Sequence, residues 1–271
     1  MSDDTMNPQQ RPASSLGVPV AIVIAAALIA VAIYLSNGGN ANAPAQNADD
    51  TAQITTEAKP IRGLQEGDHI RGNPDAAILM VEYSDYDCPF CSRFHGTLTN
   101  VLASPRGAAG EVAWVYRQFP LQALHPNAPA IAHASECVND VAGNEAFWAF
   151  TDSYFSTGAD DEAGLYAIVT GAGADETAVR ACMDAGTHIS AIQETILEAA
   201  NAGGNGTPFT VFIFKDDMTD ALRALVEQLS VQYRDSSGKS LFTTISDTQL
   251  SMGGALPEAI VNQIIEAQLG S

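Results

Sequence analysis

Ile78–His95 reads ILMVEYSDYDCPFCSRFH, and this stretch decides the fold. An apolar, β-rich run, Ile78 to Tyr83, passes through an acidic turn, Ser84 to Asp87, into Cys88-Pro89-Phe90-Cys91, and Ser92 to His95 read as helix. A cysteine there would be exposed at a helix start, where unsatisfied backbone N–H groups and the positive end of the helix dipole stabilise a thiolate. Pro89 suits the first turn because it has no N–H to lose. The spacing therefore points to dithiol–disulfide exchange, with Cys88 attacking and Cys91, one turn deeper, resolving the mixed disulfide.

Working outward, the turn Gly72-Asn73-Pro74-Asp75 launches the first strand from a polar approach over residues 61–75. Past the first helix, which runs to about Leu102, Glu111 to Phe119 is a second strand, so strand, helix, strand implies a parallel crossover. Residues 123–201 then carry helical patterns near Pro129–Val141, Glu145–Phe155, Glu162–Thr170, Glu176–Ala185 and Ile189–Ala200, an all-helical insertion. The β pattern resumes at Phe209 to Phe214, directly after Gly203-Gly204-Asn205-Gly206-Thr207-Pro208. A helix over Met218 to Arg234, a strand within Leu241 to Met252, a turn at Gly253-Gly254 and a final helix from Pro257 to Gln268 complete the order.

Upstream, Leu16 to Leu35 is twenty residues without a charge, enough to cross a hydrocarbon core of ~30 Å. It reads as an uncleaved anchor, since a cleaved signal has a shorter apolar region and the nearest small-residue site, Ala43-Pro44-Ala45, lies far downstream. Arg11 and the terminal amine precede it while Asp49 and Asp50 follow, which places the N-terminus in the cytoplasm. The expected organisation is a cytoplasmic tail 1–15, a transmembrane anchor 16–35, a flexible polar linker 36–62 and an extracytoplasmic domain 63–271. Four cysteines that form two pairs suit an oxidising compartment.

The 271 residues carry a net charge of −20, and the part after Leu35 holds 30 acidic against 11 basic residues. Such a surface repels nucleic acid and is otherwise explained by solubility or adaptation to salt.

Cys88-Pro89-Phe90-Cys91 together with Gly206-Thr207-Pro208 resembles the DsbA-like thiol:disulfide oxidoreductases, especially the membrane-anchored Gram-positive type. The resemblance runs from about Gly67 to Phe214 plus the last helix. It also rests on Gly72 to Asp75, Val81 to Asp87, Phe119-Pro120-Leu121 and His125-Pro126-Asn127. It implies an α/β thioredoxin fold, residues 63–122 and 202–271, with the helical domain 123–201 inserted. By this resemblance Cys88 is the nucleophile, Cys91 the resolving thiol, Pro208 a cis-proline facing them, and Thr207 a backbone partner for a substrate chain. Glu82 matches a buried acid that titrates high and relays the proton of Cys91; the alternative is a strand-end carboxylate facing solvent. The activity implied is donation of the Cys88–Cys91 disulfide to thiols of exported proteins, with no external cofactor and with regeneration by a quinone-linked membrane oxidase. The same residues also serve a reductase or isomerase, and a thioredoxin-fold binding module or metal chaperone is the non-catalytic alternative.

Other residues remain open at this level. Cys137 and Cys182 read as a structural disulfide closing a loop of about 46 residues, against free thiols or a second redox pair. His95 extends the motif to C-x-x-C-x-x-x-H, but zinc wants four ligands and no second ligand pair follows, so it reads as a helix-surface histidine or a neighbour of the thiolate. His125 either lines the groove or starts a helix. Asp85 and Asp87 would oppose thiolate formation while capping the helix. Trp114, Phe147, Trp148 and Phe150 are expected in the core. Lys215 to Lys239 departs from the short hairpin common in the family. Its stripe of Ala221, Leu222, Leu225, Val226 and Leu229 reads as a helix packed on the core or, alternatively, a docking face.

Overall fold

The computed structural model describes residues 57–270, and the expected tail, anchor and most of the linker lie outside them. Among the described residues no helix is long and apolar enough to cross a membrane.

The central strand is β2, Ile78–Ser84, which is buried along its whole length. It pairs parallel with β3 (Val112–Gln118), as the strand–helix–strand order predicts, and antiparallel with β4 (Phe209–Phe214). Successive strand residues face opposite sides, so β2 feeds two cores. Ile78 and Met80 join Trp114, Phe212 and Leu250 on one face, under Phe94, Leu98 and Val101 of helix α1 (Pro89–Ala103). Leu79, Val81 and Tyr83 join Val115, Phe209 and Val211 on the other. Glu82 therefore belongs to the α1 side of the sheet, the side on which Cys91 lies.

Two strands were not legible separately. Leu241 to Met252 holds a pair, β5 (Phe242–Ser246) and β6 (Gln249–Gly253), where the sequence suggested one. The approach segment contains β1, His69–Gly72, antiparallel to β3; four residues with one Gly give too little period to read. The sheet order is β1-β3-β2-β4-β6-β5.

After the short turn α2 (Pro105–Ala108), the insertion comprises α3 (Ala128–Thr157), α4 (Glu162–Gly171), α5 (Glu176–Ala185) and α6 (Ile189–Asn201). The two helices expected at Pro129–Val141 and Glu145–Phe155 are the arms of α3 on either side of Gly143, whose φ of 82° breaks the helical path. Asp161 and Asp175 cap α4 and α5 by accepting from Gly164 N and Ala178 N. Trp114, Phe147, Trp148 and Phe150 are buried as expected.

Helix α7, Asp220–Gln232, occupies the stretch that departs from the family pattern. Leu222, Val226 and Leu229 are buried in the main core, and α7 packs on α8 (Glu258–Leu269) and β5. The packing reading of its apolar stripe therefore holds.

One boundary moves. The linker was expected to reach residue 62, but Lys59 N donates to the Asn201 carbonyl (2.9 Å). Ile61 is buried and clasped through its N–H and carbonyl by the Gln249 side chain (2.9 Å each). Arg62 reaches Asp68 and Glu198. A polar composition hid these contacts because they run mostly through backbone groups.

Candidate functional site

Cys88 is the residue from which α1 departs, with extended φ/ψ of −80° and 118° and Pro89 in the first turn. Its own N–H donates to the Asp85 carbonyl, and Ser92 N donates to the Cys88 carbonyl. No side chain caps this end and no acid lies in its first turn, so the helix-start N–H groups remain available to the sulfur. Cys91 sits one turn in and is fully buried, and its Sγ accepts from Asp85 N at 3.5 Å. Both carry free thiols here. Cys88, expected to be exposed, is only 5% accessible, because the Thr207–Pro208 loop lies over it.

That loop follows α6 and must pass close to packed chain. A Cβ on Gly204 would stand 2.9 Å from a Phe209 ring carbon and 3.0 Å from the Ala199 carbonyl oxygen, and Gly203 has φ of 96°. Glycine at both positions lets the chain turn back into β4. The Thr207–Pro208 peptide is cis, and Cys88 Sγ donates to the Thr207 carbonyl at 3.5 Å. The residues that the sequence singled out at either end of the domain thus meet at the thiol.

The two sulfurs differ in their electrostatics. The hydrogen bond from Cys91, reinforced by Thr207 and by the N–H groups of Cys91 and Phe90, outweighs burial and brings the Cys88 thiol down to about 5. Cys91 is driven far up, first by burial, then by its bond to Cys88 and by the charge of Glu82. Glu82 is fully buried, not facing solvent, and burial lifts its carboxyl to about 8. Trp114 Nε1 donates to Glu82 Oε2 at 3.0 Å, while Oε1 has no partner. Tyr116 and Thr210 stand directly opposite Glu82 on β3 and β4, and their hydroxyls are also buried and unpartnered.

Asp85 takes partners from distant chain, which no local pattern reveals. It is buried, and its carboxylate accepts from Leu121 N (2.7 Å), Asp87 N (2.9 Å) and His125 Nδ1 (2.9 Å). It ties the turn before Cys88 to the loop after β3 instead of capping α1. Asp87 likewise accepts from Tyr154 Oη at 2.9 Å. The imidazole of His125 is held above its usual range, chiefly by Asp85, with the Cys88 charge contributing. His125 thus lies against the turn that precedes Cys88. His95 does not touch either cysteine through its bonded nitrogen: Nε2 pairs with Asp152 at 2.7 Å, and the ring packs on Trp114 and Phe155. It is buried where a helix-surface histidine was expected, because α3 covers that side of α1. Phe90, at 52% accessible, and Leu124, at 72%, remain exposed near the Cys88 loop and beside His125.

Cys137 and Cys182 form a disulfide joining α3 to α5, with Cα atoms 5.8 Å apart.

Residues 64–227 match the family described as thioredoxin. The chain belongs to the thioredoxin family. This thioredoxin-family domain has a DsbA-like arrangement of sheet and helical insertion. Alpha-DsbA1 of Wolbachia pipientis superposes with a TM-score of 0.56 at 20% identity, over 76% of this chain and 93% of that one. Oxidised BdbD from Bacillus subtilis gives 0.50 at 20% identity, over 57% and 85%. Among curated sequences, a Na(+)/H(+) antiporter NhaA 1 of Mycolicibacterium gilvum is 40% identical over 111 residues, 41% of this chain. The match spans only 17% of that antiporter's length.

Proposed function

We propose that this protein is a thiol:disulfide oxidoreductase that acts as an oxidant of exported protein thiols. The observation that carries the reading is the unequal sulfur pair: Cys88 at the helix mouth with a thiol held near 5, and Cys91 buried behind it. A substrate thiolate attacks Cys88 Sγ of the Cys88–Cys91 disulfide, and Cys91 leaves. A second substrate thiolate then attacks the mixed disulfide and expels Cys88 as thiolate, so two electrons pass from substrate to enzyme. A low thiolate pKa makes Cys88 a good leaving group and stabilises the reduced form, which raises the potential and favours oxidation of the substrate.

Cys91 leaves as a thiolate in a site that disfavours its charge, so it needs a proton at that moment. Glu82, near 8, is mostly protonated at neutral pH and supplies it; its carboxylate takes the proton back when the pair is reoxidised. Thr207 and Pro208 line the approach to Cys88, and Phe90 and Leu124 offer an apolar rim to an unfolded chain. The activity needs no external cofactor. Regeneration falls to a membrane-bound, quinone-linked oxidase, and residues 16–35 hold the domain on the extracytoplasmic side, with 1–15 in the cytoplasm and the polar segment up to Glu57 as tether. The Cys137–Cys182 disulfide suits that compartment.

The test is the equilibrium of the Cys88–Cys91 pair with glutathione. A potential near about −120 mV supports the oxidant, whereas one near about −270 mV assigns the site to a reductase. Absence of any exchange with dithiols, together with stoichiometric bound copper or zinc on the Cys88–Cys91 pair, would leave only a binding module.

A further inference from the structure

The second cysteine pair stands among more metal-binding groups than a disulfide requires. On α3, His133 and Cys137 lie four residues apart, on one face of the helix. Cys182 lies in the last turn of α5, and His188 is the residue from which α6 departs, six positions later. One ligand atom each from His133, Cys137 and Cys182 lie within 4.8 Å of one another, as do atoms from Asp140, Cys182 and His188. The rings of His133 and His188 are 6.2 Å apart, centre to centre. His133 is 93% buried, since its exposure is 7%, and its Nε2 has no hydrogen-bond partner although it sits in a polar cluster. A buried nitrogen of this kind normally finds a partner.

We propose that the reduced Cys137–Cys182 pair forms, with His133 and His188, a tetrahedral two-cysteine, two-histidine site for a divalent zinc-like cation, so that disulfide and metal are alternative clasps between α3 and α5. Thiolate and imidazole are the ligands zinc prefers in closed structural sites. Bonds of ~2.3 Å to zinc put two sulfurs about 3.8 Å apart, which side-chain rotation reaches between backbones whose Cα atoms are 5.8 Å apart. Asp140 already holds Nε2 of His188 at 2.7 Å, leaving Nδ1 as donor in the carboxylate–histidine–metal arrangement that orients ligands in such sites. The neighbourhood is anionic in its favour, with Asp140 on His188 and the partly buried Glu136 one residue before Cys137. The order of the ligands, H-x-x-x-C followed by C-x-x-x-x-x-H, is hidden in the sequence because the cysteines are read as partners of each other.

The reaction balances with a dithiol as reductant. The dithiol reduces the Cys137–Cys182 bond, becoming a disulfide itself, and the two thiols formed lose two protons as the cation binds. The site is separate from Cys88 and Cys91 and stands whatever direction those run.

The test uses full-length protein in detergent carrying C88S and C91S, so that only the second pair can respond. After anaerobic reduction with a phosphine and removal of the reductant, cobalt(II) chloride is titrated in. One equivalent should give the visible bands of tetrahedral thiolate–imidazole cobalt, and one equivalent of zinc should abolish them. Oxidised protein should give none. His133→Gln should weaken binding by more than ~100-fold and Asp140→Asn by about tenfold, as expected for a ligand and for the group behind one. Far-ultraviolet dichroism recorded alongside covers loss of fold on reduction: helix regained on adding zinc is metal-coupled folding and supports the site. No bands at one equivalent, equal binding by oxidised protein, or full binding by the H133Q H188Q double variant would each overturn it.

Discussion

The molecule holds two pairs of cysteines built to opposite specifications. Cys88 and Cys91 are three residues apart at a helix mouth, their thiols pushed in opposite directions, and the Thr207–Pro208 loop lies over the outer sulfur. Cys137 and Cys182 are separated by 45 residues and bridge two helices of the insertion. The first pair closes a loop too short to constrain the unfolded chain greatly and sits where N–H groups reward ionisation. The second removes a long loop's worth of chain entropy and has no helix start behind it. Chemistry and stapling are thus divided by position in the fold, not by residue type.

The largest effect that would sharpen this contrast is Cys88→Ser, which should abolish thiol exchange, while Cys91→Ala should leave attack intact and accumulate mixed disulfides on non-reducing gels. If both variants oxidise a dithiol peptide as wild type does, the division of labour is wrong. Replacing Cys137 and Cys182 by Ala should leave the exchange rate of the first pair within a few-fold but lower unfolding free energy by roughly 4 kcal/mol in denaturant titration. A large loss of exchange in folded protein would break the separation of roles.

Next in size is Glu82. Its folded pKa of about 8 exceeds its ordinary value of 4.5, so between those limits the folded state binds more protons than the unfolded one. Stability should therefore fall as pH rises from 4.5 towards 8, by up to a few kcal/mol, and be flat beyond. Glu82→Gln should remove that slope in denaturation measured at several pH values, and should slow resolution by Cys91. The reduced Cys88 has the opposite sign. Its pKa is depressed, so its contribution to the reduced protein is present at pH 9 and is lost as pH falls through 5. Thiolate absorbance in the reduced protein should show a midpoint near 5; one near 9 would make Cys88 an ordinary thiol and remove the asymmetry between the pairs. The smallest effect is expected at His125, where substitution by Ala removes a nearby cation and should raise the Cys88 midpoint by some tenths.

Much of this was readable beforehand, for physical reasons. The strand Ile78 to Tyr83 runs apolar on both faces because it is central, and Pro89 with Cys88 marks a helix start without ambiguity. The insertion announced itself through caps such as Asp161 and Asp175. What stayed hidden depended on partners far away in sequence. Asp85 looked like a helix cap until the loop of Leu121 and His125 came to it. His95 looked like a surface residue until α3 covered it, and β1 is a strand only because β3 offers it an edge. Glu82 was suspected, but its Trp114 donor follows from a register no local pattern contains.

The fully enclosed carboxyl at the middle of the sheet has an evolutionary consequence. A leucine in place of Glu82 would pack against Met80 and its neighbours without the cost of a polar group in a dry interior, so selection for robustness alone would discard the acid. Its presence on a fully buried strand leaves the scaffold less stable than it could be, a loss that the proposed relay of a proton to Cys91 would offset.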